Sequence, residues 1–95
     1  MHLNVSEIKK LLKKWHFYKA ITLKDKDTEL SKKLETIESK IRMLDDVSKE
    51  IMRMKYFDGY DVHTIASSVY MSRQGVYYRL NIAYKEIEYL ANNTL

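Results

Sequence analysis

Ile65-Ala-Ser-Ser-Val-Tyr-Met-Ser-Arg-Gln-Gly-Val-Tyr-Tyr-Arg-Leu-Asn-Ile-Ala83 is the stretch that decides the fold. Its beginning completes a short helix whose inward residues are Val62, Ile65, Ala66 and Val69, with Asp61 in position to cap it. Tyr70-Met71 makes a turn, and Ser72 can cap the next helix by accepting an unpaired backbone N–H. That helix carries Val76, Leu80, Ala83, Ile87 and Leu90 on one stripe, the spacing of a helix with one buried face. A short helix, a turn of about three residues and a longer helix have the pattern of a helix-turn-helix. Two helices that cross steeply need a small residue at the crossing, and Ala66 supplies it.

In that motif the second helix enters the DNA major groove by its N-terminal residues. Arg73, Gln74, Tyr77, Tyr78 and Asn81 lie off the apolar stripe and are the candidate DNA-contacting residues. Arg matches guanine O6 and N7, and Gln matches adenine N6 and N7, in the major groove. Ser72 and the N–H groups behind it can hold a phosphate. Thr64, with His63 beside it, falls where the first helix would cross the backbone. Arg79 has two readings, a DNA contact or an ion pair with an acidic neighbour.

Upstream, Asp45-Asp46 is an N-cap pair for a helix through Val47, Ile51 and Met54, which ends near Phe57 at the Asp58-Gly59 turn. Glu50-Ile-Met-Arg-Met-Lys-Tyr-Phe-Asp-Gly59 resembles the helix and turn that open region 4 of bacterial sigma factors. Ile65-Ala66 and Val69 through Ser72 are similar to the first helix and turn of that region's motif. Ser72, Val76, Arg79, Leu80, Ala83 and Ile87 match its reading helix at the same intervals. With a helical leader in front, the arrangement looks like phage-encoded regulators of late genes of the ArpU and RinA kind. The resemblance spans Val47 to Ile87 and leaves out residues 1–45. It departs from the family at Tyr70, a turn position usually held by Gly, and at Gly75, where a larger polar residue is frequent. A positive φ at Tyr70 would cost about 1 kcal/mol.

The first segment reads as a helix from about Asn4 to Thr22. Asn4 and Glu7 have the form of a capping box. Val5, Ile8, Leu12 and Trp15 give the apolar stripe, widened by Leu11 and Tyr18. Lys9, Lys10, Lys13 and Lys14 cover the other faces, either as a solvated surface or as contacts for phosphate or a partner. After the polar break Lys24-Asp-Lys-Asp27, a second helix begins at Asp27 or Thr28. Leu30, Leu34, Ile37, Ile41 and Leu44 then alternate spacings of four and three, the period of a coiled-coil seam. So short a seam must pack on helix one, on the C-terminal unit, or on a second copy. Residues 1–44 are therefore expected to form a helical hairpin or coiled coil for dimerisation or partner binding, and residues 45–95 a DNA-binding helix-turn-helix.

Composition sets the outer limits. The 95 residues include no Pro and two Gly, so an all-α fold is expected. No Cys is present, which excludes disulfides and thiolate metal sites. Residues 1–45 hold eleven Lys/Arg and seven Asp/Glu, and residues 46–95 hold six of each, so the net charge of +4 lies in the first half. His2, His16 and His63 lack metal-ligand spacing, and no catalytic set or phosphate loop can be assembled. No enzyme activity and no cofactor is expected, and no apolar run suggests a membrane segment. The expectation is a cytoplasmic regulator in a bacterial host that binds duplex DNA as a homodimer and, by the resemblance, activates with RNA polymerase. Two rivals are a phage small terminase-like packaging subunit and a sigma-like module that binds polymerase without DNA.

Overall fold

Five short polar side chains set where helices begin in the computed structural model, which describes residues 2–93. Asn4 Oδ1 accepts from the Glu7 N–H at 2.8 Å and starts α1, Val5–Lys13. Thr28 accepts from Ser31 and starts α3, Glu29–Ile41. Asp45 accepts from Ser48 and starts α4, Asp46–Met52. Asp61 accepts from Thr64 and starts α5, Val62–Ser68. Ser72 Oγ accepts from the Gly75 N–H at 3.0 Å at the head of α6, Arg73–Asn93. Each cap satisfies a donor that the first turn leaves orphaned. Glu7 does not complete the expected capping box. Its carboxylate pairs with Lys33 of α3 at 2.7 Å, a full charge that ties two helices together.

The helix expected over 4–22 is broken at Lys14, which leaves helical geometry at ψ 37° and separates α1 from α2, Trp15–Ile21. The break is held by tertiary contacts. Trp15 is buried and lies 5.4 Å from the Phe57 ring, while the His16 ring shares a 2.8 Å hydrogen bond with the Phe57 carbonyl. Phe57 closes a π-helical turn, Arg53–Phe57, that continues α4. There the Asp58 N–H donates to the Arg53 carbonyl at 2.9 Å. Arg53 is pinned outside this turn between Glu50 and Asp58. Gly59 follows at φ 79°, the left-handed geometry that the Asp58-Gly59 turn requires.

The described residues form a compact all-α domain of six helices with no strand. One buried apolar cluster runs from Leu3 to Ile87. The seam of α3 belongs to it. Leu34, Ile37, Ile41 and Leu44 are all buried within the chain, and Leu30 packs at the edge. In this fold the seam is therefore not available as a dimer surface, because α3 packs mainly on α6. The other flank of α6 is covered by α1 and the residues before it. Leu3 donates to Asn92 Oδ1 at 2.9 Å and accepts from Asn92 Nδ2, and the Val5 N–H donates to Glu88 Oε2 at 2.9 Å. No helix among the described residues is long and apolar enough to cross a membrane.

Candidate nucleic-acid interface

The first half of α6 divides cleanly around its axis. Val76, Leu80 and Ala83 are 0–2% exposed and pack into the core. Arg73, Gln74, Tyr77, Tyr78 and Asn81 are all exposed. At about 100° per residue these five fall within roughly 140° of arc, so the chain brings them together on one solvent face. Arg73 and Gln74 have no ion pair or hydrogen bond to another side chain among the described residues. Lys85, exposed and one turn beyond Asn81, extends the same face. The sequence reading missed it, although its spacing of four from Asn81 was the signal.

The connection from α5 to α6 is tight. The Val69 N–H donates to Ile65 and the Met71 N–H donates to Ala66, each at 3.0 Å, which folds the chain back over the end of α5. Ala66 is buried at this return. Tyr70 takes φ 58°, and its ring is 96% exposed. The turn thus keeps the left-handed geometry that Gly would adopt freely, and Tyr70 carries the strain without compensating burial. Gly75 has a packing reason of its own. A Cβ there would come within 3.2 Å of Met71 Cε and 3.3 Å of Ser72 Oγ, the atom that caps the helix.

Thr64 and His63 are exposed on α5, on the side away from Val62, Ile65 and Ala66. Ser72 is exposed too, with its hydroxyl oxygen engaged in the cap. Arg79 turns away from the other five and faces Asp45 at 3.6 Å, which favours its reading as an ion-pair residue. The Ser48 backbone N–H, reinforced by Arg79, holds the Asp45 carboxyl below its ordinary range. The Thr64 backbone N–H does the same for Asp61.

Lys9, Lys10, Lys13 and Lys14 are exposed on α1 and its end. With Ser6 and Tyr18 they line a surface groove of about 370 Å³. Lys9 Nζ also lies 5.4 Å from the centre of the Tyr84 ring. Tyr84 is buried, and its hydroxyl meets that of Tyr56. Burial first, and then the contact with Tyr84, pushes the Tyr56 phenol well above its ordinary range. This pair is therefore a neutral core element.

No family model matches this chain, and neither a curated protein nor a solved structure does.

Proposed function

We propose that this chain is a sequence-specific duplex DNA-binding transcription regulator, with α5 and α6 acting as a helix-turn-helix and the start of α6 as the reading element. One observation carries the reading. Arg73 and Gln74 stand unpartnered and exposed in the first turn of a helix whose opposite face is fully buried. A rigid helix presenting Arg, Gln, Tyr and Asn from one face has the donors and acceptors that base edges in the major groove require. Thr64 and the N–H groups behind Ser72 would contact the flanking phosphates. The resemblance to sigma region 4 makes a phage-type activator that also touches RNA polymerase the form of this proposal. A second contact would raise promoter occupancy for a DNA-binding half with no net charge.

The test is selection of a duplex site from random sequence, followed by binding of variants to it. Arg73→Ala should lose about 1–3 kcal/mol of discrimination against the mismatched base. Equal binding of the wild type and the Arg73→Ala/Gln74→Ala variant to the selected site overturns the proposal. Purified transcription from that promoter tests the activator form, which an unchanged or lower transcript yield overturns. The balanced charge of residues 46–95 favours a second reading, a module that binds polymerase alone. Polymerase capture without any selectable DNA site would establish it instead.

A further inference from the structure

We propose that Lys9 and Lys13 of α1, together with Lys85 of α6, hold the phosphate backbone of duplex DNA beside the groove entered by the start of α6. The inference rests on the DNA-binding reading above and extends the contact surface to a helix outside the α5–α6 pair.

The geometry begins with the direction of α1. Leu3 meets Asn92, Val5 meets Glu88, and Lys9 lies over Tyr84. The extended step from Leu3 to Val5 and the helical turn from Val5 to Lys9 are each met by one turn backward along α6, so the two run antiparallel. Continuing that register brings Lys13 level with Leu80 and Asn81. Lys13 follows Lys9 by four residues and therefore shares its face of α1. The flank of α6 that α1 covers holds Tyr84, Glu88 and Asn92. The wheel of α6 sets this flank in line with Tyr77 and Asn81, and away from Arg79, which faces Asp45. Lys9 and Lys13 thus border the exposed Arg73–Asn81 face along the same side of the helix.

Two grooves beside α1 differ in charge. One is lined by Glu7, Lys10, Leu11, Tyr18, Glu29, Leu30 and Lys33. In it, Lys33 pairs with both Glu7 and Glu29. The other has Ser6, four lysines and Tyr18, with no acidic lining residue. Lys9, Lys10, Lys13 and Lys14 make no ion pair among the described residues. Four ammonium groups gathered without a counterion repel one another in the free protein, and a polyanion relieves this. Because Lys9 lies over Tyr84, on the side of α6 that continues Tyr77 and Asn81, the polyanion these lysines fit is the backbone of the same duplex.

The experiment uses the full chain with Lys9→Gln/Lys13→Gln, titrated on the selected duplex and on a scrambled one between 50 and 200 mM salt. Binding should weaken on both duplexes by the same factor, of order tenfold at 0.1 M salt, and the log–log salt slope should fall by about two. The ratio of selected to scrambled affinity should stay unchanged. Lys32→Gln, on the outer face of α3, should change neither quantity. If the double variant melts at a lower temperature, Lys13→Gln/Lys85→Gln replaces it, leaving the Lys9–Tyr84 contact intact, with the same expectation. An unchanged slope, in a protein whose sequence preference still depends on Arg73, overturns the phosphate contact and spares the reading helix. A change in the selected-to-scrambled ratio also overturns it. Absence of wild-type binding to either duplex overturns both proposals together.

Discussion

Tyr77 and Tyr84 sit seven residues apart on the same side of α6, yet Tyr77 is 55% exposed and Tyr84 is 4% exposed. Residue type, helix and facing are shared, so none of them accounts for the difference. What differs is the cover. Past Asn81, α1 and Leu3 lie against this side of α6, and Lys9 rests over the Tyr84 ring. Before it, the described residues leave Tyr77 largely open. One amphipathic stripe therefore serves as core at one end and as open surface at the other. A helix long enough to run out from under its partners exposes a face without any change of residue chemistry.

Truncating each ring in turn should give the largest contrast. Tyr84→Ala should cost about 3–5 kcal/mol of unfolding free energy, by lost burial and the cavity left behind. Tyr77→Ala should stay within about 0.5 kcal/mol in the same denaturant titration. On the selected duplex the order should reverse, with Tyr77→Ala weakening binding and Tyr84→Phe leaving it unchanged. Next in size is the cover itself. Asn92→Ala removes both hydrogen bonds to the Leu3 backbone, which should cost about 1–2 kcal/mol. Amide exchange at Leu3 should speed up while that of Val76 stays slow.

A smaller effect is expected at the turn. Tyr70→Gly relieves a left-handed φ of 58° and gives up almost no burial, so it should gain up to about 1 kcal/mol in thermal unfolding. The smallest is acid dependence. The Asp45 and Asp61 carboxyls are held below their ordinary value of 3.8, chiefly by the backbone N–H groups they cap. Their stabilisation is complete above that value and disappears as pH falls through the depressed folded pKa. Asp45→Asn and Asp61→Asn keep a capping oxygen but cannot titrate, so both should flatten the fall in melting temperature below pH 4. Lys33 runs the other way. Glu7 raises its pKa above 10.5, so its contribution holds below that pH and is lost as pH rises through the folded value.

Local signals were legible where the structure is local. Asn4, Asp61 and Ser72 cap helices where residue type alone put them, and Thr28 and Asp45 are each one of the two neighbours the sequence offered, because a cap needs only a short oxygen and the next three residues. The buried stripes followed from helical period, and the exposed positions of the α6 face came with them. Long-range choices were hidden. The break at Lys14 depends on Trp15 and His16 reaching Phe57, and Glu7 leaves its cap for Lys33. A heptad seam states that Leu34, Ile37 and Ile41 want apolar neighbours and not whose, so α6 as their partner could not be read from spacing. Arg79 divided for the same reason, since Asp45 lies 34 positions away and meets it only in three dimensions.

The tie between Leu3 and Asn92 also has a consequence in time. These residues are 89 positions apart, so Leu3 is synthesised well before its partner exists. At about 5–20 residues per second that interval is roughly 4–18 s. Ile8, Leu11 and Leu12, all buried in the finished domain, are without the cover of α6 for much of that time. Early α1 synthesis and late docking leave α1 vulnerable, and slower translation of α6 should lower the soluble yield.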